Sequence, residues 1–292
     1  MPELVMHPIT KLETEQFVRR PTHALMVAGS EGIGKMAIAQ QLAADLLRLS
    51  NVEELERHPH FRVVVPDRQT ISIDAIRDLL NFTKLKITGD HEGVRRIVII
   101  DEAHAMTSEA QNALLKLLEE PPEGTLFLLN VSNTHSLLPT IRSRAQQLTI
   151  KQPKREDVET YFTTQGFDKQ KIRNAYLMSG GLPGLMHALI HESDDHPLAK
   201  AVAQTRELLR VSMFERLIAV DNLSKQKMEC SRLLFVLQQM AHAAIAQSAA
   251  KGGANSSIKQ WQRILAAAYD AENALRSSAQ AKLVLTNLML SL

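Results

Sequence analysis

The sequence predicts an α/β protein in which a mostly parallel sheet carries a phosphate-binding loop, followed by a wholly helical remainder. Three observations predict it. Apolar runs of strand length alternate with helical patterns up to about Pro153. A glycine-rich turn, Gly29-Ser30-Glu31-Gly32-Ile33-Gly34-Lys35-Met36, lies between one such run and one such helix. From Lys154 onward only helical periodicity remains.

Residues 23–28 supply the strand before the turn, and residues 36–47 have helical spacing after it. This is the setting that the pattern Gly-x-x-x-x-Gly-Lys requires. The backbone N–H groups of such a loop, together with Lys35, wrap an anion. The next position normally holds Ser or Thr, whose hydroxyl ligates Mg²⁺; here it is Met36. A thioether is a soft, weak ligand, and Mg²⁺ demands hard oxygen donors. The loop is therefore expected to retain ATP or ADP binding with Mg²⁺ weak or absent, and to be poor at hydrolysis. Similar glycine turns also occur in βαβ units that bind nothing.

Residues 61–65 read as a strand closed by Pro66-Asp67. Residues 73–82 place Ile73, Ile76, Leu79 and Leu80 on one helical face. Ile97-Val98-Ile99-Ile100 is an unbroken apolar run ending in Asp101-Glu102, which suggests a buried parallel strand whose carboxyl end opens on a crevice. In P-loop proteins an Asp there holds the metal, and the adjacent Glu is placed to orient or deprotonate a water. Acids at a strand end also serve as solvated turns or helix caps. Ser108 with Gln111 forms a capping-box pattern ahead of a helix over 113–120, and Pro121-Pro122 stops that helix. Residues 125–131 form another buried strand and 147–150 a shorter one.

In the helical remainder, Gly180-Gly181-Leu182-Pro183-Gly184 separates two short helices. From His196 the chain is rich in Ala, Leu, Met and Gln, with helices interrupted near Asp221-Asn222 and Gly252-Gly253. Its apolar stripes are mainly core, and also suit a face for partner subunits.

The chain has 292 residues, enough for about two domains. With 34 basic against 32 acidic residues, no whole-chain field drives it onto nucleic acid or membrane. A single cysteine, Cys230, excludes an internal disulfide framework. Aromatic residues make up only 4%, so base-stacking platforms among basic residues are lacking. The first residues lack the pattern of a secretory signal, and no uncharged apolar run reaches membrane-spanning length. The expectation is a soluble cytoplasmic protein that does not engage a membrane.

The loop at Gly29, Asp101-Glu102-Ala103-His104, the run from Asn112 to Leu118-Glu119-Glu120-Pro121-Pro122, and Ile141-Arg142-Ser143-Arg144 together resemble the bacterial clamp-loader subunits, AAA+ proteins of the DNA polymerase III holoenzyme. The Leu-Glu-Glu-Pro-Pro run and the Ser-Arg step are the most specific, and the motifs cover the first half of the chain. The resemblance is stronger to the delta-prime member than to the ATP-hydrolysing gamma/tau member. Met36 replaces the metal-ligating hydroxyl, and Pro183 stands where hydrolysing members carry a second-sensor Arg. Glu102, by contrast, is retained. The resemblance implies a P-loop nucleotide-binding domain over 1–153, a small helical lid over 154–195 and an all-α collar-like oligomerisation domain over 196–292. It implies nucleotide-binding residues Gly29, Ser30, Glu31, Gly32, Ile33, Gly34, Lys35 and Met36, vestigial catalytic acids Asp101 and Glu102, and Ser132 as the sensor candidate.

In the family the Arg of a Ser-Arg-Cys step reaches across the subunit boundary onto the neighbour's ATP, a task suited to a permanently charged guanidinium that bridges phosphate oxygens. The resemblance thus makes Arg144 a trans arginine finger, although the sequence here reads Ser143-Arg144-Ala145. An arginine in a loop salt bridge is the plainer alternative. Relatives often insert a four-cysteine zinc module after the P-loop helix; residues 49–58 have no cysteine, and His58-Pro59-His60 is a poor substitute, so no zinc or other structural metal is expected. The partners implied are gamma/tau-type and delta-type subunits, and through their complex the sliding clamp and primed DNA. Two alternatives stay open: an autonomous gamma/tau-type ATPase using Lys35, Asp101 and Glu102, and a nucleotide-sensing adaptor unrelated to replication.

Overall fold

The computed structural model describes residues 5–67, 69–84, 93–191, 197–250, 255–277 and 279–292. The chain divides into two compact units, Met1–Lys154 and Arg155–Leu292.

The first unit is built on five strands, β1 Ala24–Ala28, β2 Phe61–Val64, β3 Arg96–Ile100, β4 Thr125–Val131 and β5 Gln146–Thr149. They lie in the order β2-β3-β4-β1-β5, and every pairing is parallel. The three central strands are buried along their whole length, which is why they read as continuous apolar runs rather than alternating ones. The edge strands bury fewer positions and tolerate Arg62, Gln146 and Gln147. Ala28 lies opposite both Val131 and Thr149, and Ile100 opposite Leu129. The carboxyl ends of β1, β3 and β4 therefore open together, at the edge where parallel sheets bind ligands.

Among the described residues five α-helices complete this unit: α1 Pro8–Arg19, α2 Lys35–Leu46, α3 Ile73–Thr83, α4 Ser108–Glu119 and the single turn α5 Pro139–Arg142. Short 3₁₀ turns occupy Val52–Arg57, Ala103–Ala105 and Thr134–Ser136. Ile76, Leu79 and Phe82 of α3 pack with Ala110, Leu114, Leu117 and Leu118 of α4 over Val98, Ile100, Phe127 and Leu129 of the sheet.

Sequence reading gave no helix at α1. Pro8 opens it at a position where a missing N–H does no harm, but its buried positions are Thr10, Thr14 and Phe17, so the apolar period is weak. Thr10 Oγ1 accepts a hydrogen bond from the Lys151 N–H at 3.0 Å. The capping box expected at Ser108 does not form. Thr107 is the N-cap and its hydroxyl accepts from the Ala110 N–H, which puts Ser108 inside the helix. Gln111 is buried instead; its Nε2 donates to the Met106 and Ser136 carbonyls, and its Oε1 accepts from the Leu138 N–H at 2.8 Å. A side chain so committed cannot cap.

The second unit is helical among the described residues: α6 Arg155–Thr164, α7 Lys169–Ser179, α8 Pro183–Ile190, α9 Pro197–Arg210, α10 Met213–Leu223, α11 Lys227–Ala250, α12 Asn255–Arg276 and α13 Ala281–Ser291. Gly180 and Gly181 take φ of 62° and 78° between α7 and α8, a left-handed helix ending that glycine makes without strain, and Pro183 opens α8. The expected interruption at Asp221-Asn222 falls two residues later, because α10 continues to Leu223. The expected interruption at Gly252-Gly253 lies outside the described residues. Leu233, Leu234 and Leu237 of α11 share a core with Ile264 and Ala268 of α12 and Leu285 and Leu288 of α13. Cys230 is buried there and its thiol donates to the Leu223 carbonyl. Among the described residues no helix is long and apolar enough to cross a membrane.

Candidate functional site

The loop between β1 and α2 takes its shape from two glycines. Gly32 and Gly34 have φ of 81° and 102°, in the left-handed region that disfavours any residue with a Cβ. Gly34 is the N-cap of α2, so the amino end of that helix, with its unpaired N–H groups and positive dipole end, opens onto the loop. Gly29 anchors the loop's start, its N–H donating to the Val131 carbonyl at 3.1 Å.

Lys35, the first residue of α2, is 8% exposed. Its ammonium donates to the Gly29 carbonyl at 2.9 Å, the Ser30 carbonyl at 3.0 Å and Ser132 Oγ at 3.0 Å. An ammonium has three N–H donors, so all of them are held by the loop and by the end of β4. Burial pulls the Lys35 pKa below the ordinary lysine value, and the negative charges of Glu31, Asp101 and Glu102 oppose that shift. The first loop, the acids after β3 and Ser132 after β4 therefore act on one cation.

Asp101 follows β3 directly, and its Oδ1 accepts from Asn130 Nδ2 at 2.8 Å. Asn130 is fully buried in β4. It was not singled out from the sequence, although one amide within an otherwise buried strand is a readable signal. Glu102 adopts φ 47°, a left-handed conformation that costs a non-glycine residue about 1–2 kcal/mol. Strain of this kind tends to collect at functional positions. Met36, the second residue of α2, is half-buried and offers no oxygen to a metal.

Arg144 lies in a different setting. Its Nη1 donates to the Thr140 carbonyl of α5 at 3.0 Å, and its Nη2 pairs with Glu119 Oε1 at the end of α4, also at 3.0 Å. The sequence did not single out Glu119 as its partner. The donor set around Lys35 suits a phosphate group: left-handed glycines, a helix amino end and a cation. It does not suit Mg²⁺ at position 36, where a thioether replaces the oxygen.

A five-stranded parallel sheet ordered β2-β3-β4-β1-β5, with a glycine loop leading from β1 into a helix, is the α/β fold of the AAA+ class. A crystal structure of a DNA polymerase III gamma-subunit-related protein from Thermotoga maritima shares this fold over 96% of this chain and 97% of that one, with TM-score 0.51 and 18% identity.

The family model described as DNA polymerase III, delta subunit, matches residues 6–154, and the chain belongs to that family as a delta-prime-like member. It is 30% identical over 205 residues to DNA polymerase III subunit delta′ of Pseudomonas aeruginosa, which covers 64% of this chain and 62% of the relative. It is 31% identical over 157 residues to DNA polymerase III subunit tau of Escherichia coli, covering 50% of this chain and 24% of that one. The matched region thus spans less than two thirds of either relative.

Proposed function

We propose that this chain is a non-hydrolysing or weakly hydrolysing delta-prime-type subunit of a cytoplasmic clamp loader. It would support the ATP-driven placement of a sliding clamp on primed DNA, with gamma/tau-type and delta-type subunits as neighbours, and it would present Arg144 to the ATP of a hydrolysing neighbour. The observation that carries the reading is the commitment of all three Lys35 N–H donors to Gly29, Ser30 and Ser132, with Met36 next in the chain. A lysine so held must exchange internal partners for phosphate oxygens, and no hydroxyl follows it to fix a metal.

If nucleotide binds, residues 29–36 and the amino end of α2 would hold its phosphates, Ser132 would face them as a sensor, and Asp101 with Glu102 would supply the negative charge near a weakly held Mg²⁺. Nucleotide supplies the phosphate charge that these groups recognise. The chain's own residues bind and orient it, and Met36 removes the ligand on which efficient hydrolysis depends.

The test is ATP turnover by the purified chain alone and within a complex reassembled with a gamma/tau-type subunit. The expected result is negligible turnover alone, stimulation in the complex, and loss of much of that stimulation with Arg144→Ala, since trans arginine fingers contribute about 10³–10⁵ in rate in GTPase systems. Brisk turnover by the lone chain would overturn the non-hydrolysing reading. An undiminished rate with Arg144→Ala would remove the finger role.

A further inference from the structure

The two most specific motifs of the chain meet in a single contact. Glu119, the first acid of Leu118-Glu119-Glu120-Pro121-Pro122 and the last residue of α4, pairs with Nη2 of Arg144 in the Ser-Arg step. Helix stability does not explain an acid there, because the carboxyl end of a helix already carries negative dipole charge. Stability from the pair itself does not explain it either: the side chains are 35% and 49% exposed, and ion pairs in that setting contribute little.

Orientation remains. The Arg144 side chain is long and flexible, and two different elements fix it: the Thr140 carbonyl and Ser143 Oγ near one nitrogen, at 3.0 and 3.5 Å, and Glu119 at the other. A guanidinium has five N–H donors, so these contacts leave donors available for a phosphate oxygen. The geometry points to Glu119 as a positioning residue that holds Arg144 ready for the neighbour's nucleotide. Pro121-Pro122, by ending α4 where it does, sets the place of the carboxylate. The inference rests on the finger reading of Arg144 given above.

The experiment measures steady-state ATPase of the complex reassembled with a gamma/tau-type subunit, using Glu119→Gln, Arg144→Ala and the double variant. Glutamine keeps the size of the side chain and removes its charge. Losing one of two anchors should lower kcat about fivefold, because the guanidinium then samples several rotamers of which few are productive, with KM for ATP unchanged. In the Arg144→Ala background, Glu119→Gln should have no further effect. A wild-type kcat in Glu119→Gln, alongside a reduced one in Arg144→Ala, would overturn the positioning role and leave the finger standing. An additional loss in the double variant would also overturn it, since Glu119 would then act other than through Arg144. A normal rate in Arg144→Ala would remove finger and positioner together. An unchanged thermal midpoint for Glu119→Gln is expected, which separates orientation from folding.

Discussion

Replacing Met36 by threonine puts a hydroxyl oxygen at the position from which phosphate-binding loops ordinarily ligate Mg²⁺. The substitution lies in the first turn of α2 on a half-buried side chain, so packing changes little, and the helix-propensity cost of threonine is at most about 0.7 kcal/mol. The internal bonds of Lys35 to Gly29, Ser30 and Ser132 are the same in both proteins and cancel from the comparison. What differs is one hard oxygen for Mg²⁺, for which about 1–2 kcal/mol, or roughly tenfold in affinity, is a reasonable scale. The assay is titration with a fluorescent ATP analogue in Mg²⁺ and again in EDTA. Met36→Thr should tighten binding about tenfold in Mg²⁺ and leave it unchanged in EDTA, with turnover still negligible. Equal gains in both buffers, or none, would refute the argument that a missing metal ligand limits this site.

Further predictions concern the frame of the site. The folded state lowers the Lys35 pKa from the ordinary 10.5, so between the folded and unfolded values the unfolded chain binds more protons and stability rises with pH; urea unfolding at stepped pH should show that rise diminished in Lys35→Met. Gly34→Ala, at φ 102°, should cost about 1–2 kcal/mol. Gly29→Ala should cost less, since its added Cβ would meet Ile33 Cγ2 at 3.1 Å and Ile150 Cβ at 3.3 Å without backbone strain; equal midpoints in denaturant would contradict the loop geometry. Thr107→Ala should lose about 1 kcal/mol of cap energy and Ser108→Ala almost none, and the reverse order would return the cap to Ser108. Gln111→Leu leaves the Met106 and Ser136 carbonyls and the Leu138 N–H without their partner, and should destabilise by about 2–4 kcal/mol in thermal or urea melts.

Legibility in the sequence followed burial. Strands β1, β3 and β4 are covered on both faces, so their apolar runs were unbroken and their positions could be read almost to the residue. The edge strands, with polar positions facing outward, were read with ends shifted by one residue. Helix α1 escaped because two of its three buried positions are threonines, and the cap of α4 was misplaced because Thr107 and Ser108 are chemically equivalent candidates. Within the site, the glycines and Lys35 announce themselves by spacing. Glu119 does not, because its meaning lies entirely in what it touches, and Asn130 shows only as a lone amide in an apolar run, without its partner.

The sequence by itself determined the fold class, the glycine loop between β1 and α2, the absence of a side-chain oxygen at Met36 and the family, because each rests on local spacing or on side-chain chemistry that no partner alters. Only the tertiary structure decided that Lys35 is held by Ser132, 97 residues away, that Asn130 bonds to Asp101, and that Glu119 takes Arg144. The first two pairings exist because the sheet places β3, β4 and β1 side by side, the third because α4 ends beside α5. The order of crossovers sets such neighbours, and no local period encodes it.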